Sequence, residues 1–173
     1  DAAFINAEAE TSGAEAAGLL AALVVLLVAF GTIVAALVPI ALTLVAVATG
    51  LGGITLLANA MDVSTAAPTI GAMIGLGVGI DYALFIMARY RENRVAGQDN
   101  PTALSNAMGS AGSAVLFAGG TVVVAMAALV LTGLGFLASI GLSTSLVVLF
   151  AVATALTLLP ALLSLLGDRI DAG

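Results

Sequence analysis

Charged residues are spaced so unevenly along this chain that the gaps between them dictate the fold class. Forty-six uncharged residues separate Glu15 from Asp62, 18 separate Asp62 from Asp81, 7 separate Asp81 from Arg89, and 68 separate Asp99 from Asp168. A helix needs about 20 mostly apolar residues to cross a hydrocarbon core about 30 Å thick. The first gap is therefore two spans, and the second and third join into one span interrupted by a single carboxylate. The fourth gap is two or three spans. Only 8% of the residues are charged and 62% are hydrophobic, whereas a soluble domain carries about 25% charged residues. That excludes a water-soluble globule, and the hydrophobicity excludes disorder. The expected fold class is an all-α integral membrane protein.

The basic residues orient the spans. There are four, Arg89, Arg91, Arg94 and Arg169, and no Lys. Three follow the span that holds Asp81 and the fourth follows the last apolar run, so the positive-inside rule puts both regions in the cytoplasm. An even number of crossings must lie between them. The 68-residue gap is then two spans, divided at its best breaker, Thr132-Gly133-Leu134-Gly135. The result is a five-transmembrane-helix bundle with an external N-terminus and a cytoplasmic C-terminus. Residues 1–14 read as an external lead-in and 15–173 as the bundle, with spans at about 16–31, 36–59, 66–90, 110–131 and 136–160. The first turn is expected at Gly31–Ala35, which leaves Pro39 in the opening turn of the second span, where its missing N–H costs nothing. Asn59–Ser64 is the external loop and Arg89–Pro101 the cytoplasmic one. Thr102–Gly109 reads as an interfacial start to the fourth span, and Pro160 as a bend near the end of the fifth, with Ala161–Leu166 continuing to the cytoplasmic surface.

Small residues recur at helical spacing. Gly71, Gly75 and Gly79 share one face of the third span, and Ser105, Gly109 and Ser113 repeat the interval in the fourth, which also has Gly112, Gly119 and Gly120. Such stripes let membrane helices approach closely, so tight packing is the plain reading of these positions.

Asp81 is the one charge inside a span. It precedes Arg89 by eight residues, about 12 Å along a helix, which puts it near the bilayer midplane. A carboxylate there costs roughly 2.5–3.5 kcal/mol even on the lenient insertion scale, and intramembrane ionisable residues are functional by default. The bland alternative is a carboxyl bonded to neighbouring hydroxyls for packing. No basic residue lies inside any span, so this chain offers Asp81 no counter-ion. A carboxyl so placed is suited to taking up and releasing a proton. Tyr82 follows it, pointing about 100° away around the helix, so the two side chains face different partners. Gly77, one turn before, leaves space beside the carboxylate, and Phe85, one turn after, closes its lower side. Val78 and Ser113 are further candidates for lining that space.

The segment Gly75-Leu-Gly-Val-Gly-Ile-Asp81-Tyr82-Ala-Leu-Phe-Ile-Met-Ala-Arg89-Tyr90-Arg91-Glu92 resembles the signature of the MMPL family, the mycobacterial-membrane-protein-large branch of resistance-nodulation-division (RND) transporters. The resemblance extends along the chain. Glu15-Ala-Ala-Gly-Leu-Leu is similar to the family's entry to its second helix, and Ala29-Phe-Gly-Thr-Ile-Val-Ala-Ala to the turn between helices two and three. Ala114-Val-Leu-Phe-Ala-Gly-Gly-Thr-Val-Val is similar to helix five, and Leu158-Leu-Pro-Ala-Leu-Leu to the end of helix six. The resemblance implies helices two to six of the N-terminal repeat, with residues 1–14 the tail of a porter domain. It implies an exporter of lipids or other hydrophobic compounds driven by proton influx, with Asp81 and Tyr82 translocating the proton. It also implies a second repeat with its own Asp-Tyr pair, in the same polypeptide or a second copy, and a bacterial inner-membrane location among membrane lipids. The same unit resembles the sterol-sensing domain, whose role is lipid binding or regulation without pumping. The intact Asp81-Tyr82 signature favours the exporter.

Other classes fail on composition. With no Cys and no His, a nucleophile–base pair for hydrolysis and the usual metal ligands are missing, so neither an enzyme nor a metal or other cofactor is expected. Without Lys there is no Walker-type phosphate loop. A net charge of −6 gives no footprint for nucleic acid.

Overall fold

Long apolar runs with no water to satisfy their backbones close their hydrogen bonds within one segment, and helices are the outcome. The computed structural model describes residues 18, 20–28 and 33–167, and among them there is no strand. Helical residues 20–28 form α1. They are followed by α2 (Ile33–Leu57), α3 (Ala67–Val95), α4 (Asn100–Ala107), a π turn (Met108–Gly112), α5 (Ser113–Ala127), a 3₁₀ turn (Ala128–Thr132) and α6 (Gly135–Leu166). The stretches Ala35–Leu57, Ala67–Val95, Asn100–Thr132 and Gly135–Leu166 are each long and apolar enough to cross a membrane. The chain is an all-α multi-pass membrane protein. The ends of the first expected span and the lead-in at 1–14 lie outside the described residues.

Several boundaries differ from the sequence reading. Helix α2 is already formed at Ile33, so the first turn does not extend to Ala35. Pro39 consequently sits in the helix interior, where bilayer helices tolerate it, and the Thr43 hydroxyl donates to its carbonyl at 2.8 Å. Helix α3 continues past Tyr90 to Val95, because its polar last turns are anchored. The Tyr90 hydroxyl donates to Asn100 Oδ1 at 2.9 Å, and the buried Asn93 amide donates to the Ala103 carbonyl at 3.1 Å. The helix that carries the fourth span starts at Asn100, so the interfacial start read at Thr102–Gly109 is helical and runs through α4 and the π turn into α5. Helix α6 continues through Pro160 to Leu166, in line with the expected continuation at Ala161–Leu166. The division at Thr132–Gly135 falls where expected. Gly133 adopts φ +72°, a left-handed conformation that costs glycine nothing, and α6 begins two residues later.

Helices α2, α3 and α6 form the centre of the bundle, with α5 laid along α6. The glycine stripe of α3 makes that centre possible. Gly71, Gly75 and Gly79 are all buried. A Cβ at Gly75 would collide with Val147 of α6, and one at Gly79 would lie 2.6 Å from Thr43 of α2. Val147 is fully buried, and Gly50 of α2 also meets it, with a Cβ there only 2.9 Å from the Val147 Cα. One β-branched knob thus fills a hole built from glycines of two helices.

The second stripe is resolved differently. Ser105, Gly109 and Ser113 face outward, and a Cβ on Gly109 would meet nothing within 4 Å. The buried positions are Ala103, Ala107, Ala111, Val115 and Gly119, again four apart. In an uninterrupted α-helix each four-residue step drifts by about 40°, so five such positions would wind off the interface. The wider π turn absorbs that drift in mid-run.

Candidate functional site

Helix α3 has 14 residues on either side of Asp81, so the carboxylate stands at its midpoint. Two periodicities meet there. The residues four apart that include Gly71, Gly75 and Gly79 turn inward, while Met73, Gly77, Asp81 and Phe85 turn outward. Asp81 is exposed on the surface of the bundle, on an otherwise apolar face. Tyr82, one residue on, is buried, with only 8% of its surface accessible. Its ring packs over Gly119 of α5, where a Cβ would lie 3.1 Å from Cε2 and would also strike Val152 of α6. Glycine at 119 therefore makes room first for Val152 of α6 and then for the Tyr82 ring.

A cavity of about 240 Å³ opens beside the pair, lined by Asp81, Tyr82, Phe85, Ala114, Val115 and Ala118. Its walls are α3 and α5. These helices part because α5 lies mainly along α6, and the 100–132 helix meets α3 chiefly through α4 and the π turn. Of the positions expected to line this space, Asp81, Tyr82 and Phe85 do so. Gly77 lies on the same outward face one turn away, with nothing within 4 Å of a Cβ built on it. Val78 packs instead against the main core. Ser113 is exposed on α5, its hydroxyl donating to the Gly109 and Ser110 carbonyls of its own helix at 2.9 and 2.8 Å. Sequence reasoning passed over Ala114 and Ala118, whose small side chains leave the wall opposite Asp81 open. The Ala-x-x-x-Ala spacing was the available signal.

Toward the basic end, a second cavity of about 390 Å³ is lined by Phe85, Ala88, Arg89, Glu92, Ser110 and Ala111. Arg89 donates to Glu92 at 2.5 Å across one turn of α3. Among the described residues no group of His, Cys, Asp and Glu side chains could hold a metal ion.

The chain is similar to known proteins along nearly its whole length. The model of the MMPL family matches residues 5–172. The chain is 39% identical over 166 residues to Membrane protein YdfJ of Bacillus subtilis, which covers 95% of this chain and 23% of that protein. It is 36% identical over 159 residues to the Trehalose monomycolate exporter MmpL3 of Mycolicibacterium smegmatis, covering 92% of this chain and 16% of the exporter. It is 37% identical over 145 residues to the Mycolic acid-containing lipids exporter MmpL11 of the same organism, covering 84% and 15%. The chain thus spans less than a quarter of the length of these relatives.

Proposed function

This chain belongs to the MMPL family, and from that premise we propose that it is the transmembrane part of an exporter of lipids or other hydrophobic compounds, driven by the proton motive force. The observation that carries the reading is an Asp exposed at the midpoint of a membrane-spanning helix, on a face that the bundle itself leaves uncovered. Left against lipid, that carboxylate costs roughly 2.5–3.5 kcal/mol. A second transporter repeat, in the same polypeptide or a second copy, covers the Met73–Gly77–Asp81–Phe85 face and removes the exposure. Asp81 then takes up and releases the proton, and Tyr82, buried against Gly119 of α5, orients or relays it. The names of the relatives, which speak of export of trehalose monomycolate and of mycolic acid-containing lipids, support a lipidic substrate. The basic end of α3 faces the cytoplasm of a bacterial inner membrane under this reading, and the protein is a transporter rather than an enzyme.

The test is export by the intact transporter in vesicles under an imposed pH gradient, with membrane yield as the folding control. Asp81→Asn keeps the size and hydrogen bonding of the side chain while removing the titratable proton, and is expected to insert normally but not export. Tyr82→Phe is expected to slow export less, or to shift its pH dependence. If the carboxyl serves only packing, the ranking reverses: Asp81→Asn is nearly silent and Gly75→Leu or Gly79→Leu is severe.

A further inference from the structure

A proton carrier at mid-membrane needs a water route to an aqueous phase, and one side of the bundle holds two adjoining cavities that lead toward one. The cavity beside Asp81 and the cavity beside Arg89 and Glu92 share Phe85 as a lining residue. Together they run along α3 from the carboxylate to its basic end. Asp81, Phe85, Ala88, Arg89 and Glu92 are all exposed and follow helical spacing down this face. The 11 residues from Asp81 to Glu92 correspond to about 16 Å of helix. The opposite wall is Ala118, Val115, Ala114, Ala111 and Ser110, nearly all small side chains that leave room for several water molecules in each cavity. Neither cavity is lined by a titratable side chain from the π turn or α5. Among the described residues the titratable groups on the cleft all come from α3, namely Asp81, Tyr82, Arg89 and Glu92; the second repeat of the proposed transporter adds its own Asp-Tyr pair opposite Asp81.

We infer that this α3–α5 cleft is the route by which Asp81 exchanges its proton with the aqueous phase at the basic end, and that Glu92, held by Arg89, is the carboxylate that receives the proton at the mouth. The inference rests on the proton-carrier reading of Asp81. The step balances as a transfer: the Asp81 O–H bond breaks, the proton passes to cleft water, and a Glu92 carboxylate oxygen takes it before releasing it to bulk. Asp81 is left as the carboxylate, ready for the next proton. The mouth needs an acid because α3 ends in Arg89, Arg91 and Arg94, and such a cluster of positive charge repels an arriving proton. Glu92 is the carboxylate among them that lines the cleft. Phe85, 52% exposed, lines both cavities, so the proton passes from one to the other beside its ring.

The experiment uses the intact transporter in proteoliposomes, with export measured across a pH gradient at low and high concentrations of a small mobile buffer. Glu92→Gln is expected to lower export by roughly tenfold or more at low buffer, with recovery as buffer rises and with partial rescue by Glu92→Asp. Asp81→Asn stays inactive at every buffer concentration. A purely structural Glu92 gives no buffer rescue. An unchanged rate for Glu92→Gln at all buffer concentrations, with Asp81→Asn inactive, overturns the route while leaving the carrier in place. Export by Asp81→Asn overturns both. Because the chain has no Cys, Ser110→Cys and Ala114→Cys provide an independent readout. Both are expected to react with a small water-soluble thiosulfonate applied from the basic side, and failure of Ala114→Cys to react from that side overturns the route.

Discussion

Two glycines on α3, two residues apart, should respond in opposite directions to the same substitution. At Gly75 a new Cβ collides with Val147 Cγ1 and lies 3.2 Å from Val47 Cγ2. Val147 cannot yield easily. It is fully buried, its β-branched side chain has one preferred rotamer in a helix, and Gly50 and Gly71 hold it from two other sides. Overpacking a close-packed site costs about 1–3 kcal/mol, against a helix-propensity gain for Gly→Ala of about 1 kcal/mol. Gly75→Ala should therefore destabilise the bundle by up to about 2 kcal/mol. At Gly77 a Cβ meets nothing within 4 Å, so the propensity term stands alone and Gly77→Ala should be neutral or stabilising by up to about 1 kcal/mol. Loss of far-UV circular dichroism during titration of the chain in mild-detergent micelles with sodium dodecyl sulfate measures both. Adding Val147→Ala to Gly75→Ala should return about 1 kcal/mol through the coupling of neighbours in contact. Equal stabilities of the two single variants, or a less stable Gly77→Ala, would refute the knob-in-glycine account of the α2–α3–α6 centre.

Other substitutions probe the ends of the helices. Asn93→Ala removes the buried amide that donates to the Ala103 carbonyl and should cost about 1–3 kcal/mol in the same titration, loosening α4 from α3. Gly133→Ala forces a side chain into φ +72° and should cost about 1 kcal/mol, with no effect on the α3 face. For topology, single Cys at Gln98 should be labelled by an impermeant reagent only from the cytoplasmic side and at Ser64 only from outside; labelling of Gln98→Cys from outside intact cells contradicts the orientation.

Much of the fold could be read from where charges are absent, because crossing a bilayer imposes a minimum apolar length and the gaps between charges are long. The break at Gly133 was legible for a local reason, a backbone conformation that glycine alone adopts without strain. The inward face of α3 was legible because three glycines share it. The two four-residue stripes of the 100–132 helix were not distinguishable by spacing. Ser105-Gly109-Ser113 and Ala103-Ala107-Ala111 have the same period, and the π turn that keeps the second one inward leaves no mark in the sequence. Hydropathy also marks where apolar residues end rather than where a helix ends. Thus α3 runs on to Val95 and the next helix starts at Asn100, held by Tyr90 and Asn93. At the site, Asp81 stood out by its charge alone. The burial of Tyr82 over Gly119 and the cleft walled by alanines are products of tertiary packing, with partners on different helices.

The central claim is that Asp81 carries the protons that drive export, and the most direct measurement is proton influx itself. Proteoliposomes holding the intact transporter, a trapped pH-sensitive dye and a lipidic substrate are exposed to an acidic exterior, with the transporter oriented so that its extracytoplasmic side faces out. The account predicts substrate-dependent acidification of the lumen with wild-type protein and none above the leak of empty vesicles with Asp81→Asn, at equal amounts of inserted protein. Acidification by Asp81→Asn at the wild-type rate would contradict it and leave Asp81 a structural residue.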